Sequence, residues 1–74
     1  MTAIVWSKPN CPYCDQAKTL LKIKNIPYEE RLIGNGYTKE DLLEAVPTAR
    51  TVPQIILDDV LIGGFVELKS HLQG

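Results

Sequence analysis

The chain has 74 residues, of which 45% are hydrophobic and 23% charged, and eight basic against nine acidic side chains leave a net charge of -1. These proportions exclude a disordered or collagen-like chain, and the balanced charge excludes a basic tract for nucleic acid or an acidic tail. A domain this small buries only about 60% of the surface its unfolded form exposes, so one small core and a single domain over residues 1–74 are expected.

Residues 1–6 are mostly apolar, yet no basic region precedes them and Lys8-Pro9 ends the run short of a secretory signal core. The later apolar run, residues 52–66, is broken by Asp58-Asp59 and Gly63-Gly64 and is too short to cross a bilayer. A cytoplasmic protein with no membrane or nucleic-acid partner is expected.

Residues 2–6, with Ile4 and Val5, predict a buried strand that ends at Ser7-Lys8-Pro9-Asn10. Pro12 suits a first helical turn, where its missing N–H costs nothing, and Ala17, Leu20, Leu21 and the stem of Lys24 follow at helical spacing until Asn25 and Pro27. Residues 28–33 predict a second strand. Strand, helix and strand then form a βαβ unit with parallel strands and a right-handed crossover. Gly34-Asn35-Gly36 breaks the chain, and Thr38 with Asp41 resembles a capping box ahead of a helix striped by Leu42, Leu43 and Val46 and stopped by Pro47. Residues 53–57 and 60–62 are β-rich and separated by Asp58-Asp59, which reads as a two-residue hairpin turn. Gly63-Gly64 leads into a last helix from Phe65 to about Leu72. The predicted order is β-α-β-α-β-β-α, an α/β fold with a four-stranded mixed sheet and helices on both faces.

Both cysteines, Cys11 and Cys14, sit at the start of the first helix. A bridge between them closes a tiny loop and constrains the unfolded chain little, so stability is a poor reason for the pair. A helix N-terminus offers unpaired N–H groups and a positive dipole end, and Lys8 adds a cation three residues earlier; both favour a thiolate at Cys11. Cys14, one turn further in and more buried, suits a resolving thiol that attacks a mixed disulfide on Cys11. A zinc or iron-sulfur site normally needs four protein ligands, and the other candidate, His71, is far away in sequence. Two buried structural cysteines are a further alternative, but C-x-x-C beside a βαβ pattern reads as a thioredoxin-like redox motif.

The Cys11-Pro12-Tyr13-Cys14 run, Thr51-Val52-Pro53 before the third strand and Gly63-Gly64-Phe65 after the fourth together resemble the dithiol glutaredoxins of the thioredoxin superfamily, in particular compact bacterial or phage-type members. The resemblance covers nearly the whole chain. It implies a thioredoxin-like (glutaredoxin) fold and a cis Val52-Pro53 bond facing the active-site sulfurs. Val52 would then present its backbone N–H and C=O to the cysteinyl unit of glutathione, with Thr51 and Pro53 beside it. The resemblance also places the γ-glutamyl carboxylate at Gly64, Phe65 and Val66, where absent side chains and a helix start suit an anion. Read without it, the two glycines are nearly as well explained as a plain turn out of a hairpin. Val66 departs from the Thr or Asp usual in the family, and Glu67 stands where Asp is common. Lys8 and Arg50 match basic positions near the glycyl carboxylate, and Tyr13 matches the aromatic beside the reactive cysteine. Alternatively, Lys8 and Arg50 are solvated charges and Tyr13 packs on the first turn. Trp6, Phe65 and Tyr28 read as core or rim packing, and His71 as a solvated residue without chemistry.

The resemblance implies a monomeric, glutathione-dependent thiol-disulfide oxidoreductase with no permanently bound cofactor and no metal. Its partners are glutathione and disulfide-containing or glutathionylated proteins, ribonucleotide reductase being one by analogy. Two rivals remain. One is a glutaredoxin-like electron donor reduced by thioredoxin reductase, which Val66 raises. The other is a dimer sharing an iron-sulfur cluster through Cys11 and glutathione, against which Pro12 counts.

Overall fold

The first strand already divides the molecule, because its side chains alternate between two cores. In the computed structural model, which describes residues 1–73, Ala3 and Val5 join one buried cluster with Ala17, Leu21, Ile55, Leu57 and Leu68. Trp6 joins a second with Leu42 and Val46, against which Ile4, Val52 and Ile56 pack. The elements in order are β1 (Ala3–Ser7), α1 (Pro12–Ile23), β2 (Tyr28–Leu32), α2 (Lys39–Ala45), β3 (Gln54–Leu57), β4 (Val60–Gly63) and α3 (Phe65–Gln73). The four strands lie in the order β2-β1-β3-β4, with β1 parallel to β2 and the remaining pairs antiparallel. Helices α1 and α3 cover one face and α2 the other, which is the mixed, doubly covered sheet that the sequence predicts.

Element ends move by one residue from the predicted bounds, and two side chains lie elsewhere than expected. Lys24 is exposed and is not part of the stripe on α1. The helix closes before it matters: Asn25 takes the left-handed region (φ 58°), its N–H donates to the Lys22 carbonyl (3.0 Å), and the Ile26 N–H returns to the Leu21 carbonyl (2.9 Å). That Schellman closure turns Ile26, not Lys24, into the core beside Leu21. On α2 and its C-cap, Leu42 and Val46 are buried but Leu43 is 37% exposed, since a seven-residue helix on a sheet buries one narrow stripe.

The local signals at the other ends hold. Thr38 Oγ1 accepts from the Asp41 N–H (3.1 Å) while Asp41 Oδ2 accepts from the Thr38 N–H (2.9 Å), a reciprocal capping box. Asp58 and Asp59 both have positive φ (49° and 66°) between the paired residues Leu57 and Val60, as a two-residue hairpin turn matched to the strand twist requires. Asp58 also pins this turn to the chain start, donating from its N–H to the Thr2 carbonyl and accepting from the Thr2 N–H, each at 2.9 Å. Among the described residues no helix is long and apolar enough to cross a membrane.

Candidate active site

The end of β1 and the start of α1 are joined by Lys8-Pro9-Asn10, all exposed, and Asn10 turns the chain through the left-handed region (φ 58°). Cys11 is then the N-cap of α1 with Pro12 in its first turn. The Cys14 N–H donates to Cys11 Sγ at 3.2 Å, so the sulfur occupies the place that a capping oxygen usually takes. Cys11 and Cys14 are joined in a disulfide, with Cα atoms 5.2 Å apart. Both are buried, Cys11 at 7% and Cys14 at 1% exposure, so the first thiol is the one nearer solvent.

Across from the sulfurs, Val52-Pro53 is a cis peptide, and the Val52 carbonyl oxygen lies 3.9 Å from Cys11 Sγ. Packing of the Val52 side chain against Trp6, Leu42 and Val46 ties this carbonyl to the α2 face of the sheet. Tyr13, Thr51, Val52, Pro53 and the segment Gly64 to Glu67 line one mainly apolar cavity of about 320 Å³ beside the disulfide. Tyr13 stacks on Phe65 with ring centroids 6.2 Å apart, which bridges the starts of α1 and α3 along the cavity. Seven of the nine residues that the resemblance assigns to glutathione therefore line one cavity: Tyr13, Thr51, Val52, Pro53, Gly64, Phe65 and Val66. Lys8 and Arg50 are exposed and lie outside its lining.

The two glycines serve the chain itself. Gly63 has φ 120°, and a Cβ there would stand 3.1 Å from the Glu67 side chain; at Gly64 it would stand 3.2 Å from Glu67 Oε1. Glu67 Oε1 accepts from the Gly64 N–H at 2.9 Å, so this carboxylate folds back onto the start of α3. Its signal was in the sequence as the three-residue spacing from Gly64 to Glu67, the acidic half of a capping box without the Ser or Thr half.

A second group of side chains lies on β1, α1 and β2, the elements flanking the dithiol, and left no comparable signal. Ser7, the buried last residue of β1, donates from Oγ to Glu30 Oε2 at 2.7 Å. Lys18 Nζ donates to the same oxygen at 2.7 Å and lies 3.4 Å from Asp15. The Lys18 hydrogen bond, joined by that of Ser7, holds the Glu30 carboxyl below its ordinary range, and Glu30 in turn raises Lys18. Among the described residues no three His, Cys, Asp or Glu side chains gather as metal ligands would, and His71 lies by Leu61 and Val66, apart from the cysteines.

The sequence and the fold that hold this site are shared with known proteins. The Glutaredoxin family model matches residues 3–62. Glutaredoxin 1 of Rickettsia conorii is 42% identical over 65 residues, covering 85% of this chain and 64% of that relative, so the chain spans just under two thirds of its length. The crystal structure of glutaredoxin 1 from Francisella tularensis, complexed with cacodylate, superposes with a TM-score of 0.83 at 30% identity, over 97% of this chain and 92% of that one. A buckwheat glutaredoxin-glutathione complex superposes with a TM-score of 0.76 at 27% identity, over 97% of this chain and 69% of that one. With its dithiol, cis-proline and order of elements all in place, the chain belongs to the glutaredoxin family of the thioredoxin superfamily.

Proposed function

We propose that this chain is a glutathione-dependent thiol-disulfide oxidoreductase that reduces protein disulfides and glutathione mixed disulfides through Cys11 and Cys14. The observation that carries the reading is the cysteine pair at the start of α1, with the Cys14 N–H on Cys11 Sγ and an apolar cavity opening beside it. An amide aimed at that sulfur at a helix N-terminus favours the anion, and the thiolate is the nucleophile of exchange.

In the first step the Cys11 thiolate attacks one sulfur of the substrate disulfide. The S–S bond breaks, and the departing thiolate takes a proton. Where the adduct is Cys11-glutathione, a second glutathione thiolate attacks its glutathione sulfur, leaving glutathione disulfide and free Cys11. Where the adduct is a protein, the Cys14 thiolate attacks Cys11 Sγ, expels the reduced protein and leaves the Cys11-Cys14 disulfide. Two glutathiones then supply the two electrons that restore the dithiol.

Glutathione suits the cavity because the Val52 backbone offers an extended peptide its hydrogen bonds, and the first turn of α3 offers N–H groups to a carboxylate. Glutathione bound in the buckwheat relative supports the same assignment. Lys8 and Arg50, exposed beside this region in sequence, supply cationic reach toward a second carboxylate. A monomer acting in the cytoplasm on disulfide-bearing or glutathionylated proteins completes the reading. The test is turnover of a small glutathione mixed disulfide coupled either to glutathione and glutathione reductase or to thioredoxin reductase. Turnover in the first arm is expected, whereas turnover confined to the second would overturn the choice of reductant.

A further inference from the structure

The Ser7, Lys18, Glu30 and Asp15 group has no part in the scheme above, yet it brackets the segment that carries the dithiol. Ser7 and Asp15 are the residues just outside the segment 8–14 that carries both cysteines, and both reach the same ammonium-carboxylate pair: Ser7 through Glu30 Oε2 and Asp15 through Lys18 Nζ. Lys18 follows Cys14 by four positions on α1. In a helix that offset is a rotation of only about 40°, one turn along, with Cβ atoms about 5–6 Å apart. Cys14, Ala17 and Leu21 form the buried stripe of α1, and Lys18 stands at its edge with a side chain 21% exposed, leaning to Glu30 on β2. An ammonium carried one turn along the same helix face, in a partly desolvated place, acts on a neighbouring thiol more strongly than it would in water.

We infer that Lys18 and Glu30 are positioning residues for the second half-reaction: the ammonium favours the Cys14 thiolate that attacks Cys11, and the carboxylate sets how much of that charge Cys14 feels. This rests on the assignment of Cys14 as the resolving thiol. The groups that face the pair are Asp15 and Lys22 on α1 and Ser7 on β1. Lys22 adds to the positive side and Asp15 to the negative side, so the local charge stays near balance until one partner is removed.

The two partners act in opposite senses, which separates an electrostatic role from a structural one. In a Cys11→Ser background Cys14 is the single cysteine, and its thiolate can be followed against pH by ultraviolet absorbance with no substrate, glutathione or solvent access to the sulfur required. Glu30→Gln keeps the side chain's shape and frees the ammonium. Its thiolate midpoint is expected to fall by roughly half a pH unit, and that of Lys18→Met to rise by about as much. Lys18→Arg should restore the parent midpoint, and the Glu30→Gln, Lys18→Met combination should lie between the single variants. Movement of both single variants in the same direction, as loss of a tether would produce, overturns the inference; so does the absence of movement in either. Because the titration does not depend on turnover, its failure is distinct from failure of the proposed reaction. With both cysteines present, Glu30→Gln and Lys18→Met are expected to shift the pH profile of turnover on disulfides that need both thiols, and to leave the profile on glutathionylated substrates in place.

Discussion

Two helices start at the cavity, and their caps differ in chemistry. Helix α1 begins on the Cys11 sulfur, buried and 3.2 Å from the Cys14 amide. Helix α3 begins on the Glu67 carboxylate, exposed and 2.9 Å from the Gly64 amide. The electrostatics at the two ends are the same, a positive dipole end and unpaired N–H groups. What differs is the cap. A carboxylate accepts the amide and takes no part in disulfide exchange, so its bond holds the turn and nothing more. A sulfur can bond covalently, leave and return, so on the proposed function the same interaction at α1 stabilises the state from which the chemistry starts. The cavity between them thus has a reactive wall and a fixed wall.

The contrast breaks first at the sulfurs. Cys11→Ser is expected to abolish turnover, by more than about a thousandfold, because a hydroxyl at the cap position accepts the same amide but does not attack disulfides. Cys14→Ser should keep activity on glutathionylated substrates and lose it on disulfides that need both thiols. Assays on both substrate types check the pair, and equal losses from the two substitutions would contradict the division of roles.

The fixed wall should yield in stability before it yields in chemistry. Gly63→Ala places a side chain at φ 120° and 3.1 Å from Glu67, a conformation and a contact that L-residues avoid. A loss of about 1–3 kcal/mol in denaturant unfolding is expected, with Cys11 still reactive toward a small alkylating agent. Unchanged stability would mean that the turn into α3 is not set by Gly63.

How much of this was readable beforehand follows the range of each interaction. The cysteine pair, the Thr38-Asp41 capping box and the Asp58-Asp59 turn are local, written within a few residues, and the structure has all three where the sequence put them. Lys24 and Leu43 were misplaced because helical spacing names a stripe but not where the helix closes or how wide a face its neighbours cover. The Ser7, Glu30 and Lys18 group was invisible for a different reason. Its members come from β1, β2 and α1, and only the parallel pairing of β1 with β2, Val5 opposite Glu30, sets Ser7 within reach of that carboxylate. Resemblance to a family supplied the cis Val52-Pro53 bond, which composition does not encode, and gathered most of the cavity lining while leaving Lys8 and Arg50 outside it.

A smaller effect sharpens the comparison at α3. Glu67→Ala removes the acceptor from the Gly64 amide and should cost about 0.5–1 kcal/mol, while Glu67→Gln, which still accepts, should cost less. Chemical denaturation of the two variants measures the difference. If Glu67→Gln were as destabilised as Glu67→Ala, charge against the helix dipole, rather than the hydrogen bond, would be what holds this wall.

An effect of similar size is the pH dependence of the tether between α1 and β2, and its signs can be worked out. The Lys18 hydrogen bond keeps the folded Glu30 carboxyl below its ordinary value of 4.5, so the unfolded chain binds its proton first as pH falls. The stability it contributes is present above that ordinary value and is lost as pH drops through the folded one. Lys18 is raised above 10.5 by Glu30, so its share is complete below that value and is lost as pH climbs through the folded one. For a partly exposed pair the total is about 0.5–1 kcal/mol at neutral pH. Glu30→Gln and Lys18→Met should each flatten both limbs of the stability profile, measured as the denaturation midpoint against pH, and both should lower it at neutrality. On stability the two substitutions therefore act in the same direction, because either one unties α1 from β2. On the Cys14 thiolate they act in opposite directions, because there the sign of the surviving charge decides.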